Sequence, residues 1–154
     1  QQQRPAVHLT IVGSAPPRGV QALAGPSITV TGHVPDLLPY LRRAAVALAP
    51  MPYGAGIQNK VLEAMACATP VVATPQAVSA LTIGTEEGVL IGTTAEELAA
   101  RAVELLGNPA RRQTLGKAGR AYVERHHNWA TAAARLEQIY QAEGARRARA
   151  AGTR

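Results

Sequence analysis

A glycine turn that runs straight into an amphipathic helix and then into a strand constrains this chain more than any other feature. The run Tyr53-Gly54-Ala55-Gly56-Ile57-Gln58-Asn59-Lys60-Val61-Leu62-Glu63-Ala64-Met65-Ala66 follows a short apolar stretch, Val46 to Met51, and is closed by Pro70-Val71-Val72-Ala73-Thr74. Short apolar stretches bounded by prolines suit buried strands, the glycines loosen the backbone, and a helical period starts at once. Strand, turn, helix and strand in that order outline an anion site. Backbone N–H groups at a helix start lack partners and carry partial positive charge, so the turn from Gly54 to Gln58 can hold a phosphate or a carboxylate there.

Laid out at the helical period, the helix separates into two faces. Ile57, Val61, Leu62, Met65, Ala66 and Ala68 fall on one side. Asn59, Lys60, Glu63 and Cys67 fall on the other, with Lys60 one turn nearer the presumed anion than Glu63. A base and an acid so placed can grip two parts of one ligand, its phosphates and its hydroxyls. The same spacing also suits a plain solvated pair worth about 0.2–0.5 kcal/mol, and pattern alone does not choose between the two.

The segment resembles the nucleotide-sugar site of retaining, group 1 (family four) glycosyltransferases of the GT-B fold. Leu62-Glu63-Ala64-Met65-Ala66 to Pro70-Val71-Val72 matches that family's signature, and Gly56 to Glu63 looks like the version in sugar transferases of exosortase and exopolysaccharide systems. Weaker pieces extend the resemblance: Leu9 to Gly13, Val30 to Asp36, and the segment around Trp129. The resemblance implies that Glu63 binds the ribose hydroxyls of a donor nucleotide and that Gly56, Ile57 and Gln58 meet its diphosphate through backbone N–H groups. It also implies that Gly32, His33 and Val34 lie beside the base, mainly through main-chain contacts. The donor would be a UDP-, GDP- or ADP-sugar, passed to an acceptor with retained configuration and without a bound metal or other cofactor.

Three departures stand out. The family's pattern has two glutamates, and Ala55 occupies the position of the first, so that acid's contact with the donor sugar is lost. Ala68 stands where a glycine commonly ends the helix, and a left-handed cap there costs a non-glycine residue about 1 kcal/mol. The chain also opens at what looks like the family domain's second strand, which predicts an N-terminally truncated donor domain spanning residues 1–154, lacking the acceptor domain. Such a piece is expected to be inactive alone, with no catalytic residue of its own, and to expose a sheet edge through which two copies can pair.

A length of 154 residues fits one domain, large enough to bury roughly 70% of its unfolded surface. Phe is absent, so the core must rely on Val, Leu, Ile and Ala. No stretch approaches the roughly 20 apolar residues that span a bilayer, the polar start is not a secretory signal, and the lone Cys67 excludes an internal disulfide. A reducing cytoplasm is the expected setting. Cys67 has no base at a suggestive spacing and reads as a packed small residue. The net charge of +6 is uneven, with Arg111, Arg112, Lys117, Arg120 and Arg125 in one helical region and Arg146, Arg147, Arg149 and Arg154 at the end. Without interleaved aromatics or a nucleic-acid motif, this reads as a solvated basic tail over residues 144–154 and not as a nucleic-acid site. The resemblance leaves open a weak contact with the inner face of the membrane.

Along the chain, a loose Gln1 to Arg4 precedes strands over Val7–Gly13 and Ser27–Val34, joined through a proline-rich turn and a short helix from Gly19 to Ala24. Asp36 is expected to cap a helix through Ala44, with Pro39 in its tolerant first turn. Strands follow at Val46–Pro50, Val71–Ala73 and Val89–Ile91, with Gln76–Thr82 a short helix or loop. Such alternation predicts an α/β fold: a Rossmann-like, doubly wound parallel sheet flanked by helices, with ligands beyond the carboxyl ends of the strands at Gly13, Val34, Met51 and Thr74. The last third reads as helices: a capping box at Thr94 opening one to Leu106, Asn108-Pro109 opening another to about His127, and a final one from Trp129 to Arg149. His126 and His127 complete no metal set, and a Gly-x-Gly-x-x-Gly fingerprint is absent, which disfavours an NAD enzyme. Two functions remain: a glycosyltransferase's donor-binding domain, or a non-catalytic nucleotide-binding or interaction module left by truncation.

Overall fold

Val71-Val72-Ala73 is buried on both faces, the condition under which an apolar run without alternation is stable as a strand. In the computed structural model, which describes residues 7–54, 56, 58–84 and 87–151, this run is the centre of a three-stranded parallel sheet. The elements follow in the order β1 (Leu9–Val12), α1 (Arg18–Gln21), β2 (Ile28–Gly32), α2 (Leu38–Arg43), β3 (Ala47–Ala49), α3 (Asn59–Ala66), β4 (Val71–Ala73), α4 (Pro75–Val78) and β5 (Val89–Ile91). Three longer helices complete the chain: α5 (Ala95–Gly107), α6 (Pro109–His126) and α7 (Trp129–Ala151). The expected loose start, Ala55, Ile57 and Arg154 lie outside the described residues.

The α/β class and the parallel pairing agree with the sequence, and among the described residues the strands pair as two sheets. β1 pairs only with β2, and β3, β4 and β5 form a second sheet in that order. No described strand bridges the two. The consequence shows in β3, where Leu48 remains 47% exposed although its neighbour Ala49 is buried.

Helix α3 covers one face of the larger sheet because its period places Val61, Ala64 and Met65 on one side, all fully buried against Val71, Ala73 and Val89. Ala66, expected on that face, is exposed, and Ala64 takes its place. Val72 points the other way and packs with Leu90, Leu105 and Leu115 beneath α5 and α6. Without phenylalanine the layers close up through glycine. A methyl group on Gly116 of α6 would lie 2.1 Å from the carbonyl oxygen of Ala68, so only a bare backbone lets α6 rest on the end of α3.

The end of α3 forms as a left-handed cap despite the missing glycine. Ala68 has φ +56°, its N–H donates to Met65 O at 2.9 Å, and Thr69 N–H donates to Ala64 O at 3.0 Å, the two bonds of a Schellman motif. Other helix ends need smaller adjustments. Asp36 sits one residue before the cap of α2, yet its Oδ1 still accepts from Leu38 N–H at 2.9 Å. Thr94 caps α5 by accepting from Glu97 N–H at 3.2 Å, and the main return contacts are with Thr93, whose N–H (2.7 Å) and hydroxyl (2.6 Å) donate to Glu97 Oε2. Asn108 accepts from Arg111 N–H at 2.9 Å to start α6, and Arg112 Nη1 donates to Leu105 O and Leu106 O, closing the end of α5. Helix α7 leaves its apolar residues in solvent, with Leu136, Ile139 and Tyr140 at least half exposed and Trp129 at 91%.

Candidate functional site

The chain leaves β3 at Ala49 and turns through Pro50, Met51 and Pro52 toward α3. Met51 N–H donates to Ala49 O at 3.0 Å, and Thr74 N–H, at the end of neighbouring β4, donates to the same oxygen at 3.3 Å. The Thr74 hydroxyl then donates to Met51 O at 2.7 Å. Gly54 lies against α4 so closely that a methyl group on it would stand 2.6 Å from Gln76 O. Gly56 is exposed with φ +70°, a conformation that glycine adopts freely. Gln58 is the N-cap residue of α3 in extended conformation, and no side chain caps the helix. N–H groups at a helix start can meet an anion where they lack partners, and in this first turn Val61 N–H already donates to Gln58 O at 2.9 Å.

Lys60 and Glu63 are both exposed on the outer face of α3, opposite buried Val61, Ala64 and Met65. They do not bond to one another. Among the described residues neither takes part in a salt bridge or a side-chain hydrogen bond, so both charges stand in solvent. Cys67, at the end of the same face, is half-buried.

Gly32 ends β2 in the smaller sheet, two residues short of the expected strand end, and His33 and Val34 follow it. Gly32 has φ +72°, and its carbonyl oxygen accepts from Gly13 N–H at 3.2 Å and from the Thr31 hydroxyl at 3.0 Å. His33 is exposed and Val34 half-buried. No hydrogen bond among the described residues ties this segment to the turn before α3, so the two halves of the expected site stand on separate sheets. Ile57 falls outside the described residues.

Among the described residues no group of three or more His, Cys, Asp or Glu side chains is placed to hold a metal ion. His126 and His127 instead stack about buried Tyr122, with ring centroids 4.8 and 5.5 Å away. Burial pushes the Tyr122 phenol above its usual range, and the Glu87 carboxylate adds to the shift, against a hydrogen bond with the Thr82 backbone. A cleft of about 470 Å³ beside β5, lined by residues including Leu81, Ile83, Arg101 and Arg111, contains none of the residues on the α3 face. Sequence reasoning placed Thr74 on the rim but missed its bond to the turn. The signal was there in a hydroxyl residue directly after a strand and before Pro75.

Residues 1–108 match the family model of glycosyl transferases, group 1. The chain belongs to the group 1 glycosyl transferases. Over 83 residues, 53% of the chain, it is 37% identical to a GDP-mannose-dependent monoacylated alpha-(1-6)-phosphatidylinositol monomannoside mannosyltransferase of Corynebacterium glutamicum. Sucrose-phosphate synthase from Thermosynechococcus elongatus superposes with a TM-score of 0.78 at 31% identity, covering 93% of this chain. Anabaena HepE, solved in complex with UDP, gives 0.77 at 16% identity over 90% of this chain, a likeness of fold alone. This group 1 chain spans only part of these relatives: 22% of the mannosyltransferase, 40% of the synthase and 42% of HepE. The α/β class with parallel sheets and flanking helices is thus that of GT-B glycosyltransferase domains. Among the described residues no helix is long and apolar enough to cross a membrane.

Proposed function

We propose that this chain is the donor-binding domain of a retaining glycosyltransferase that takes its sugar from a nucleoside diphosphate sugar. The observation that carries the reading is the uncapped start of α3, reached through positive-φ Gly56, with Lys60 and Glu63 unpaired on the exposed face of the same helix. The donor diphosphate is held at the helix start by the segment containing Gly54, Gly56, Ile57 and Gln58, where the helix dipole favours negative charge. Lys60 offsets phosphate charge and Glu63 accepts hydrogen bonds from the ribose hydroxyls. Gly32, His33 and Val34 border the base once the two sheets are brought to one ligand.

In the transfer, the bond from the anomeric carbon to the diphosphate oxygen breaks, and a new bond forms to an acceptor hydroxyl, whose proton passes to the departing diphosphate. The helix start and Lys60 stabilise the departing diphosphate without a metal. Residues 1–154 form a single donor domain and require an acceptor domain for turnover, so transfer by this chain alone would contradict the proposal. Its setting is the cytoplasm, with exopolysaccharide-type acceptors and a weak contact with the inner membrane surface. Two copies can pair through an open sheet edge. Ala55, in place of the family's first glutamate, favours a second reading, in which the module binds a nucleotide and transfers nothing.

The Corynebacterium relative is named for GDP-mannose and HepE was solved with UDP, so GDP and UDP are the first nucleotides to titrate, with ADP as a third. Calorimetry on the wild-type chain and on Glu63→Ala tests the site. One nucleotide should bind, and the substitution should weaken it by about 1–3 kcal/mol, the worth of a hydrogen bond to a charged group. Binding that Glu63→Ala leaves unchanged would remove Glu63 from the site, and no binding by a folded chain would reject both readings of nucleotide recognition.

A further inference from the structure

We propose that Thr74 is a positioning residue for the donor turn, a role that rests on the nucleotide-binding function proposed above. Thr74 stands at the N-cap of α4, where a threonine hydroxyl ordinarily accepts from an N–H of its own helix. It makes no such bond. The hydroxyl points instead across to the preceding strand's exit and donates to Met51 O at 2.7 Å, while the Thr74 N–H reaches Ala49 O, which Met51 N–H also shares.

Two residues of the turn's root are thereby fixed to the end of β4, the most deeply buried strand of the sheet. A second contact sits three residues further along. Gln76 O lies against Gly54 with no room for a side chain between them, and the Ser79 hydroxyl donates to that same oxygen at 3.1 Å. The turn is thus held at Met51 by a hydrogen bond and at Gly54 by contact, both from the Thr74–Ser79 segment, before it becomes free at exposed Gly56. Thr74 itself is only 9% exposed, so water competes poorly for its hydroxyl.

An anion site built from backbone N–H groups depends on where the backbone points, because no side chain can adjust for a turn that has rotated. Thr74 touches no ligand in this scheme. It restricts the turn's root at Met51 and Gly54, and so reduces what binding must spend on ordering the segment that follows.

The test compares Thr74→Val, which keeps the shape and loses the donor, with Thr74→Ser, which keeps the donor. Thr74→Ala serves as a second deletion should the valine variant not fold. Each is titrated with GDP and UDP beside wild type and Glu63→Ala, and amide hydrogen exchange is followed in the peptide containing Met51, Gly54 and Gly56. The deletions should weaken nucleotide binding by about tenfold, the loss of roughly one buried hydrogen bond. They should also speed exchange in that peptide without changing it in α6, and Thr74→Ser should restore both. Wild-type affinity in the deletions, with Glu63→Ala impaired, overturns the positioning role and leaves the donor site standing. Equal loss in Thr74→Ser overturns it too, since the hydroxyl would not be the cause. Absence of binding in wild type overturns the donor reading and this role together.

Discussion

A methyl group built on Gly88 would sit 2.2 Å from the Cα of Gly119, so the residue leading into β5 and the middle of α6 touch through bare backbone. Gly88 also has φ +99°, which side chains rarely adopt, whereas Gly119 is helical and its own added methyl would meet Gly88 Cα at 3.1 Å.

Gly88→Ala should therefore destabilise more than Gly119→Ala: about 2–4 kcal/mol against about 1–2, from overpacking in both cases and backbone strain in the first alone. Urea unfolding followed by circular dichroism measures both. An equal or reversed order would mean that the loop moves aside at little cost and that α6 is not held by this contact.

Ala68 offers the opposite experiment. Its φ of +56° burdens an alanine at the position that ends α3, and neither of the Schellman bonds uses its side chain. Ala68→Gly should stabilise by up to about 1 kcal/mol, raising Tm by a few degrees, after the greater freedom of glycine in the unfolded chain is set against the relieved strain. A lower Tm would show that the Ala68 methyl contributes packing worth more than the strain.

The start of α5 should make stability sensitive to acid. Hydrogen bonds from the Thr93 hydroxyl, foremost, and from the Thr93 N–H hold the Glu97 carboxyl below the usual carboxylate range, and Glu96 is lowered as well by a backbone bond and by Thr94. A carboxylate with a depressed folded-state pKa stabilises fully above its unfolded value, and the contribution disappears as pH falls through the folded one. Wild type should thus exceed Glu97→Gln in stability at neutral pH, and the two should converge as the pH is taken from about 5 towards 2. Parallel curves over that range would show that the Thr93 bonds do not distinguish the charged form.

Much of this was legible in the chain. Val71–Ala73 and Val89–Ile91 fold with the ends their sequences suggest, because Pro70 and Gly88 mark one side and Thr74 and Gly92 the other. The exposed placement of Lys60 and Glu63 follows from the helical period alone. What stayed hidden depends on partners distant in sequence. Gly116 and Gly119 look like helix breakers until Ala68 and Gly88 are found against them, and the hydroxyl of Thr74 has no visible target until β3 and β4 are side by side. The division of the strands into two sheets could not be read either, since a strand's own residues do not name the neighbour it will lack. For the same reason the distance between Gly32–Val34 and α3 lies beyond local pattern.

Trp129 is the single tryptophan of the chain and is almost wholly in water at the start of α7. Its fluorescence should therefore emit at the long wavelength of a hydrated indole in the native protein and barely change when the sheets melt. An intrinsic-emission denaturation curve would be nearly flat however cooperatively the sheets melt. The same flat baseline makes the indole a clean optical reporter for α7, because only an event that dries this helix can shift it to the blue.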